Sequence, residues 1–107
     1  MDKKQLEKEI KTRTEILKSY LGEVQKIPNY RKDIECQSYF PTVNAYIVKM
    51  NKILSNYLSL ADDDFKNLNF KQIVADLDRM MIEPKTTLEH IKARGSLSAN
   101  PHSIEFY

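Results

Sequence analysis

The sequence contains no tryptophan, only two glycines and a single cysteine. So little glycine disfavours a turn-rich β fold and favours helix. The lone thiol, Cys36, has no partner for an internal disulfide, which agrees with a reducing compartment. At 107 residues the chain has the length of one domain with one hydrophobic core.

A long apolar run is also missing. The longest, residues 45–48, has four residues, far fewer than the roughly 18 that a membrane-spanning helix needs. No charged-then-apolar signal segment opens the sequence either, so we expect a cytoplasmic protein that makes no membrane contact. The excess of lysine over arginine, thirteen against four, favours a low-GC bacterium, one of its phages or another mobile element as the source.

The net charge of +2 is unevenly distributed along the chain. Residues 1–32 hold nine basic and five acidic side chains, whereas residues 62–107 hold six basic and eight acidic ones. Neither part reaches the density of positive charge that is typical of a nucleic-acid footprint. The pattern favours solvated helix surfaces.

Helical periodicity dominates the hydrophobic pattern. In the first thirty residues it follows alternating steps of four and three, as on one face of an amphipathic helix, at Leu6, Ile10, Arg13, Leu17, Tyr20, Val24 and Ile27. Because proline disfavours the helical conformation of the residue before it, this helix is predicted to end at Pro28.

The remaining helices are predicted from their caps and prolines. A short helix is expected between Pro28 and Pro41, with Tyr30, Ile34 and Gln37 or Ser38 on one helical stripe. A long helix is expected to begin at a Thr42 cap and to be central to the bundle. Asn69 and Gln72 form a predicted capping box at the start of the next long helix.

Two further signals predict where the last helices end. Pro84 is predicted to end the Asn69 helix, and a last short helix is expected between Thr86 and a stop at Gly95. The fold class predicted is therefore all-α, a small bundle of three longer and two short helices. Residues 1–94 form the predicted domain, followed by an extended or disordered tail over residues 95–107.

Residues with catalytic or metal-binding chemistry are present but poorly arranged for it. Residues 62–64 are aspartates, yet the sixth position of a calcium loop beginning there is Asn67 and the twelfth is Ile73, where glycine and glutamate are needed. Cys36 and His90 are a possible nucleophile and base, but their spacing matches no catalytic or zinc motif. We predict no enzymatic activity, no cofactor and no metal.

One cluster has the chemistry for phosphate or bases. The ring of Tyr30 can stack on a base, while Arg31 and Lys32 offer charge-assisted hydrogen bonds to phosphate. Together with the basic residues of the first helix, this cluster predicts nucleic-acid or nucleotide binding as the alternative function, through Lys3, Lys4, Lys8, Lys11, Tyr30, Arg31 and Lys32.

Three features favour contact with a protein instead. The long helix predicted to begin at Thr42 carries more apolar arc than a three-helix monomer can cover, which would leave a patch for a partner. Arg13 interrupts an apolar seam, and a polar residue there can fix the register of a self-associating pair, although the seam can also pack inside the monomer with Arg13 reaching outward. After the polar residues 95–103 come Ile104, Phe106 and Tyr107, whose exposure to water is unfavourable. We expect them to dock in cis, on a second copy or on a partner; the open alternative is a frayed terminus.

The sequence therefore predicts a non-enzymatic protein-binding module. We expect a small regulator, inhibitor or assembly adaptor that masks or bridges a macromolecular surface. Its predicted partner is another protein or a second copy of itself, and nucleic acid is the less favoured partner. The predicted contact residues are Ile104, Phe106, Tyr107 and Arg13.

Overall fold

The computed structural model describes residues 1–98, with side chains described as far as Arg94. Four α-helices follow one another, with a 3-10 turn at Tyr30–Lys32 after the first: α1 Lys3–Gln25, α2 Ile34–Leu58, α3 Asp62–Lys66 and α4 Phe70–Ser98. No strand occurs in residues 1–98. The predicted all-α bundle with three long helices is confirmed.

Part of the predicted organisation falls beyond these residues. The predicted contact residues Ile104, Phe106 and Tyr107 lie outside the described part of the chain, as does most of the predicted tail 95–107.

The three long helices alternate in direction. Glu23 near the end of α1 lies 2.8 Å from Lys92 near the end of α4, so these two helices are parallel. Asp33, just before α2, pairs with Arg94 of α4, and Lys3 of α1 donates hydrogen bonds to carbonyls at the far end of α2. Helix α2 is therefore antiparallel to both α1 and α4.

The core is formed by one stripe from each long helix. Four side chains of α1, at steps of four and seven residues, have no exposed surface: Leu6, Ile10, Leu17 and Val24. They pack with Val43, Ile47, Met50 and Leu54 of α2 and with Ile73, Leu77, Leu88 and Ile91 of α4. Helix α1 packs along both other long helices, so it is more central than the predicted Thr42 helix.

Caps define where the helices begin. Asp2 and Gln5 form a capping box that the sequence analysis missed, in which the Gln5 N–H donates to Asp2 Oδ1 at 2.7 Å. Asn69 caps α4 as predicted, because the Gln72 N–H donates to its Oδ1 at 3.1 Å, but the Gln72 amide turns to Asp76 instead of completing the box. Helix α1 ends at Gln25, before Pro28 as predicted.

The predicted boundaries at Pro41, Thr42 and Pro84 are wrong, because both prolines lie inside continuous helices. A proline inside a helix costs about 3 kcal/mol, but the apolar stripe continues on one face through both positions. Packing of that stripe outweighs the local cost. Thr42 donates its hydroxyl to the Ser38 carbonyl within α2 instead of capping a new helix.

The two predicted short helices, 28–41 and 86–94, are consequently parts of longer elements. Most of the first belongs to α2, and the second lies within α4, which passes the predicted stop at Gly95 and ends at Ser98. The short α3 instead begins with the three aspartates 62–64 and buries Phe65. Every helix in residues 1–98 is too short or too polar to span a bilayer.

Candidate functional site

A groove runs between α2 and α4. These two helices contact each other less extensively than either contacts α1, which leaves the groove open to solvent. Two tyrosines of α2 cross it: the Tyr46 hydroxyl donates to Glu83 Oε2 at 2.7 Å, and the buried Tyr39 hydroxyl donates to the Pro84 carbonyl at 2.6 Å. The hydrogen bond to Glu83 raises the pKa of Tyr46, and burial raises that of Tyr39, so both hydroxyls remain donors near neutral pH.

The Tyr46–Glu83 bridge separates two clefts in this groove. The first, about 230 Å³, opens near the start of α2 and is called here the Ile34 cleft; its lining includes Ile34, Ser38, Thr42, Glu83 and Thr87. The second, about 480 Å³, lies towards the other end and is lined by charged and apolar side chains, among them Lys49, Ile53, Asp76, Arg79 and Met80.

The side of α2 that points away from the core is apolar. Ile34 is 82% exposed and Val48 is 66% exposed, and Pro41 and Ala45 between them are exposed too. Steps of seven, four and three residues place these four side chains in one stripe, called here the outer α2 face.

The outer α2 face is also uncharged. From Cys36 to Val48 no acidic or basic residue occurs, although 30% of the whole chain is charged. Along this segment the exposed polar side chains that flank the stripe are amides and hydroxyls, such as Gln37, Ser38 and Asn44, and charged neighbours such as Glu35 and Lys49 lie at its two ends. An apolar stripe with an uncharged border has the composition of the buried centre of a protein interface.

Charged groups cluster where α2 begins and α4 nears its end. Arg94 donates to both carboxylate oxygens of Asp33 at 2.7 Å, and its Nε lies 3.5 Å from Glu35 Oε2. Asp33 also caps α2 by accepting from the N–H groups of Glu35 and Cys36. The hydrogen bond from Arg94, then those from the backbone, hold the pKa of Asp33 below its usual range. This cluster ties the ends of α2 and α4 together.

Replacing Asp33 with asparagine is expected to reduce the loss of stability in acid. The folded pKa of Asp33 is lower than the unfolded value of 3.8, so its carboxylate stabilises the fold above that pH and loses this effect as the pH falls through the folded pKa. Urea denaturation is expected to show Asp33→Asn less stable by about 1 kcal/mol at neutral pH, with the gap closing in acid as the pH falls through the folded pKa of Asp33.

Asp62→Asn is the matched control for this experiment. The Asp62 side chain is 87% exposed and lies 3.6 Å from Lys3, so its removal is expected to change little at either pH. A gap between wild type and Asp33→Asn that is equal at both pH values would contradict the assignment.

Arg13 pairs inside the chain. Its guanidinium lies 2.6 Å from Glu9 Oε2 of α1 and 2.6 Å from Asp78 Oδ1 of α4. Its side chain is only 12% exposed, and Thr14 takes the buried position beside it. The seam of α1 thus packs within the monomer, which was the alternative to a self-associating pair.

The basic residues predicted to bind nucleic acid or nucleotides are spread over the molecule. Lys3 donates to the carbonyls of Leu58 and Leu60, and Lys11 pairs with Glu7 at 2.8 Å. Lys4 and Lys8 are exposed on the first half of α1. Lys3 and the Tyr30–Lys32 turn lie at opposite ends of α1, which is about 34 Å long, so they do not meet in one nucleotide-sized site.

The turn itself is folded upon the protein. Arg31 Nε donates to Tyr30 Oη at 3.2 Å, and its guanidinium lies 5.7 Å from the Tyr30 ring centre. The Tyr30 ring centre also lies 5.9 Å from the ring centre of Phe40. Tyr30 is therefore already occupied by contacts within the chain, while Lys32 is exposed.

Cys36 and His90 have different environments. Cys36 has no exposed surface, and burial raises the pKa of its thiol, as is typical of an unreactive structural cysteine. The His90 side chain is 68% exposed and lies 3.6 Å from Glu35. In residues 1–98, no three histidine, cysteine or acidic side chains come together to hold a metal ion.

The sequence predicts a surplus apolar patch on the long helix that became α2, but it does not identify the four residues of the outer α2 face. The signal for them was the charge-free segment 36–48, which contains Val48. No protein-family model matches the chain, and no curated protein or solved structure matches it. Its function is therefore inferred from its own surfaces.

Proposed function

We propose that this chain is a non-enzymatic protein-binding module, acting as a small regulator, inhibitor or assembly adaptor that masks or bridges a macromolecular surface. The single observation that carries the proposal is the outer α2 face, where Ile34 and Val48 are 82% and 66% exposed. Exposed apolar side chains are common singly, but four in one stripe with an uncharged border favour a contact surface.

The dimensions of this face suit a helical or flat protein partner. The stripe runs from Ile34 to Val48, fourteen helical steps that cover about 21 Å along the axis. A partner that covers it desolvates apolar side chains and amides without removing a charge from water, so the electrostatic cost of binding is small. Such binding is expected to depend only weakly on salt, whereas phosphate binding by the basic residues would weaken steeply as salt rises.

Site-specific photo-crosslinking in an extract of the source cells tests the proposal. A photoreactive residue in place of Ala45 is expected to give a discrete adduct, and the same residue in place of Lys18, which is exposed on α1, is the control position. Mass spectrometry identifies the adduct, and a crosslinked dimer of the chain would identify a second copy as the partner.

Val48→Asp is the variant expected to lose partner binding in this experiment. Because Val48 is largely exposed, this variant is expected to keep its fold and to change stability by no more than about 0.5 kcal/mol. It is expected to lower the yield of the Ala45 adduct at least about tenfold, since it places a charge in an apolar contact. Equal adducts at Ala45 and Lys18, or an adduct unaffected by Val48→Asp, would contradict the proposal.

A further inference from the structure

The outer α2 face is nearly symmetric about Pro41. Ile34 and Val48, its two large side chains, lie seven residues before and seven residues after Pro41, and both are mostly exposed. The centre line of the face between them carries short side chains, Ser38, Pro41 and Ala45. Short side chains in the middle of a contact allow two helices to approach closely. When a second copy of α2 runs in the opposite direction across this face, Ile34 packs against the partner's Val48 at each end.

The charges at the two ends of the face are opposite in sign. Glu35 lies at the start of α2, where its side chain is 49% exposed and lies 3.6 Å from His90 of α4. Lys49 lies fourteen residues later and lines a cleft together with side chains of α4. Both side chains are therefore on the edge of the outer α2 face that borders α4, and the charge-free segment 36–48 separates them.

An antiparallel pairing of two copies brings these opposite charges together. A two-fold axis near Pro41, perpendicular to the paired helices, keeps the α4 edge of one copy beside the α4 edge of the other. Glu35 and Lys49 are six and eight residues from Pro41, so Glu35 lies within about 3 Å, along the helix axis, of the level of the partner's Lys49. The same pair forms again at the other end. A parallel pairing would instead place like charges beside each other, which is unfavourable.

The other edge of the face is complementary to itself as well. Gln37 and Asn44 are exposed there, four residues before and three residues after Pro41. In the antiparallel pairing, Gln37 lies about 1.5 Å along the axis from the level of the partner's Asn44. Gln37 Nε2 already donates to the Tyr30 carbonyl at 3.0 Å, so its Oε1 can accept a hydrogen bond from the amide of the partner's Asn44.

We propose that a second copy of this chain covers the outer α2 face, forming a symmetric antiparallel dimer about a two-fold axis near Pro41. This inference rests on the proposed function, because it names the occupant of the surface described there. Lys52, one turn beyond Val48, lies at the rim of the contact, where its ammonium group stays in water.

The size of the face predicts the strength of the dimer. It is about 21 Å long and about one helix diameter, roughly 10 Å, wide, so the interface is small. Interfaces of about 1,600 Å² bind with dissociation constants from picomolar to micromolar. The dissociation constant of this smaller interface is therefore expected to be micromolar or weaker.

Sedimentation equilibrium of the purified full-length chain, from about 1 μM to about 1 mM, measures this self-association. A reversible equilibrium between monomer and dimer is expected. Val48→Asp is expected to raise the dissociation constant at least about tenfold, since each copy brings a charge into the apolar contact.

Lys49→Glu tests the charge pairing. It is expected to raise the dissociation constant at least about fivefold, because two attractive pairs with Glu35 become repulsive. Lys18→Glu is the matched control, because it makes the same change of net charge at an exposed position of α1 and is expected to leave the dissociation constant unchanged.

Disulfide trapping measures the orientation of the two copies. Cys36 has no exposed surface, so it can remain while single cysteines are placed on the outer α2 face. Ser38 and Ala45 lie three residues before and four residues after Pro41, so the antiparallel pairing brings Ser38 beside the partner's Ala45. A mixture of Ser38→Cys and Ala45→Cys chains is expected to form the linked heterodimer at least about tenfold faster than either variant alone forms a homodimer.

Three results would overturn the proposal: a monomer at every concentration, a dimer that responds to neither Val48→Asp nor Lys49→Glu, or disulfide homodimers that form as fast as the heterodimer. The Ala45 adduct from the cell extract separates this failure from that of the proposed function. A monomer whose Ala45 adduct contains another protein overturns the second copy as occupant and leaves the binding module standing. A monomer without a specific adduct overturns both.

Discussion

Leu17→Ala is expected to destabilise the folded chain by about 2 to 5 kcal/mol. Leu17 has no exposed surface and lies in α1, the helix that packs along both α2 and α4. Truncation removes apolar contacts, and the cavity that remains cannot be filled by one helix moving, since two helices hold α1 in place. A loss of this size is a large fraction of the stability of a small domain. Urea denaturation followed by circular dichroism measures it.

The neighbouring residue is the control for this prediction. Ile16 is 38% exposed, so Ile16→Ala removes the same kind of side chain from the same helix at a position largely in water. It is expected to cost well under half as much as Leu17→Ala, because less area is transferred and no cavity forms. Equal losses for the two variants would contradict the assignment of Leu17 to the core.

Pro41→Ala is expected to stabilise the fold by about 2 kcal/mol. Pro41 lies in the interior of α2 and is exposed, so the Gln37 carbonyl lacks its helical donor and the ring contributes little packing. Alanine restores that N–H and removes a penalty of about 3 kcal/mol, against which stands about 0.4 to 1 kcal/mol for the freer unfolded chain. Thermal unfolding is expected to show a rise of roughly 10 °C.

Pro84, the second proline inside a helix, is the control for Pro41→Ala, because its side chain contributes packing as well as a helix-propensity penalty. Pro84 is fully buried in α4, and its carbonyl accepts the hydrogen bond of Tyr39. Pro84→Ala therefore leaves a cavity that offsets the gain in helix propensity, and it is expected to be neutral or destabilising.

A fall in stability for Pro41→Ala would show that α2 requires the proline for its packing. Since Pro41 lies on the outer α2 face, the variant also tests whether partner binding depends on it.

Local rules were enough to predict the helical content and most of the core. Leu6, Ile10, Leu17 and Val24 recur at helical steps, and all four are buried. The cap at Asn69 was also predictable, because capping depends on a side chain and a backbone group three residues apart.

The helix boundaries were not predictable from local rules, because tertiary packing decided them. Pro41 and Pro84 each impose a local free-energy penalty that an isolated helix would not tolerate. This penalty is offset only because neighbouring residues of α2 and α4 are buried against α1. The same limit applies to Arg13, whose second partner, Asp78, is 65 residues away in the sequence. No spacing rule connects residues so far apart.

The candidate surfaces depended on tertiary structure even more. The sequence places Ile34 on the stripe of a short separate helix, whereas in the continuous helix α2 its side chain lies opposite the core. The Ile34 cleft is formed by two helices whose relative placement is set mainly by α1. The charge-free segment 36–48 was visible in the sequence, but its exposure required the fold.

The odd number of long helices has a mechanical consequence. Lys3 and Ser98 lie at opposite ends of the bundle, because α1 and α4 are parallel and α2 returns between them. Tension applied at these two points pulls α1 and α4 past each other along their axes, so the core layers resist together instead of being peeled apart one by one. Forced unfolding is governed by the rate of crossing that barrier. Force applied between Lys3 and Ser98 would therefore load the bundle in shear along its length, which is about 43 Å along α4.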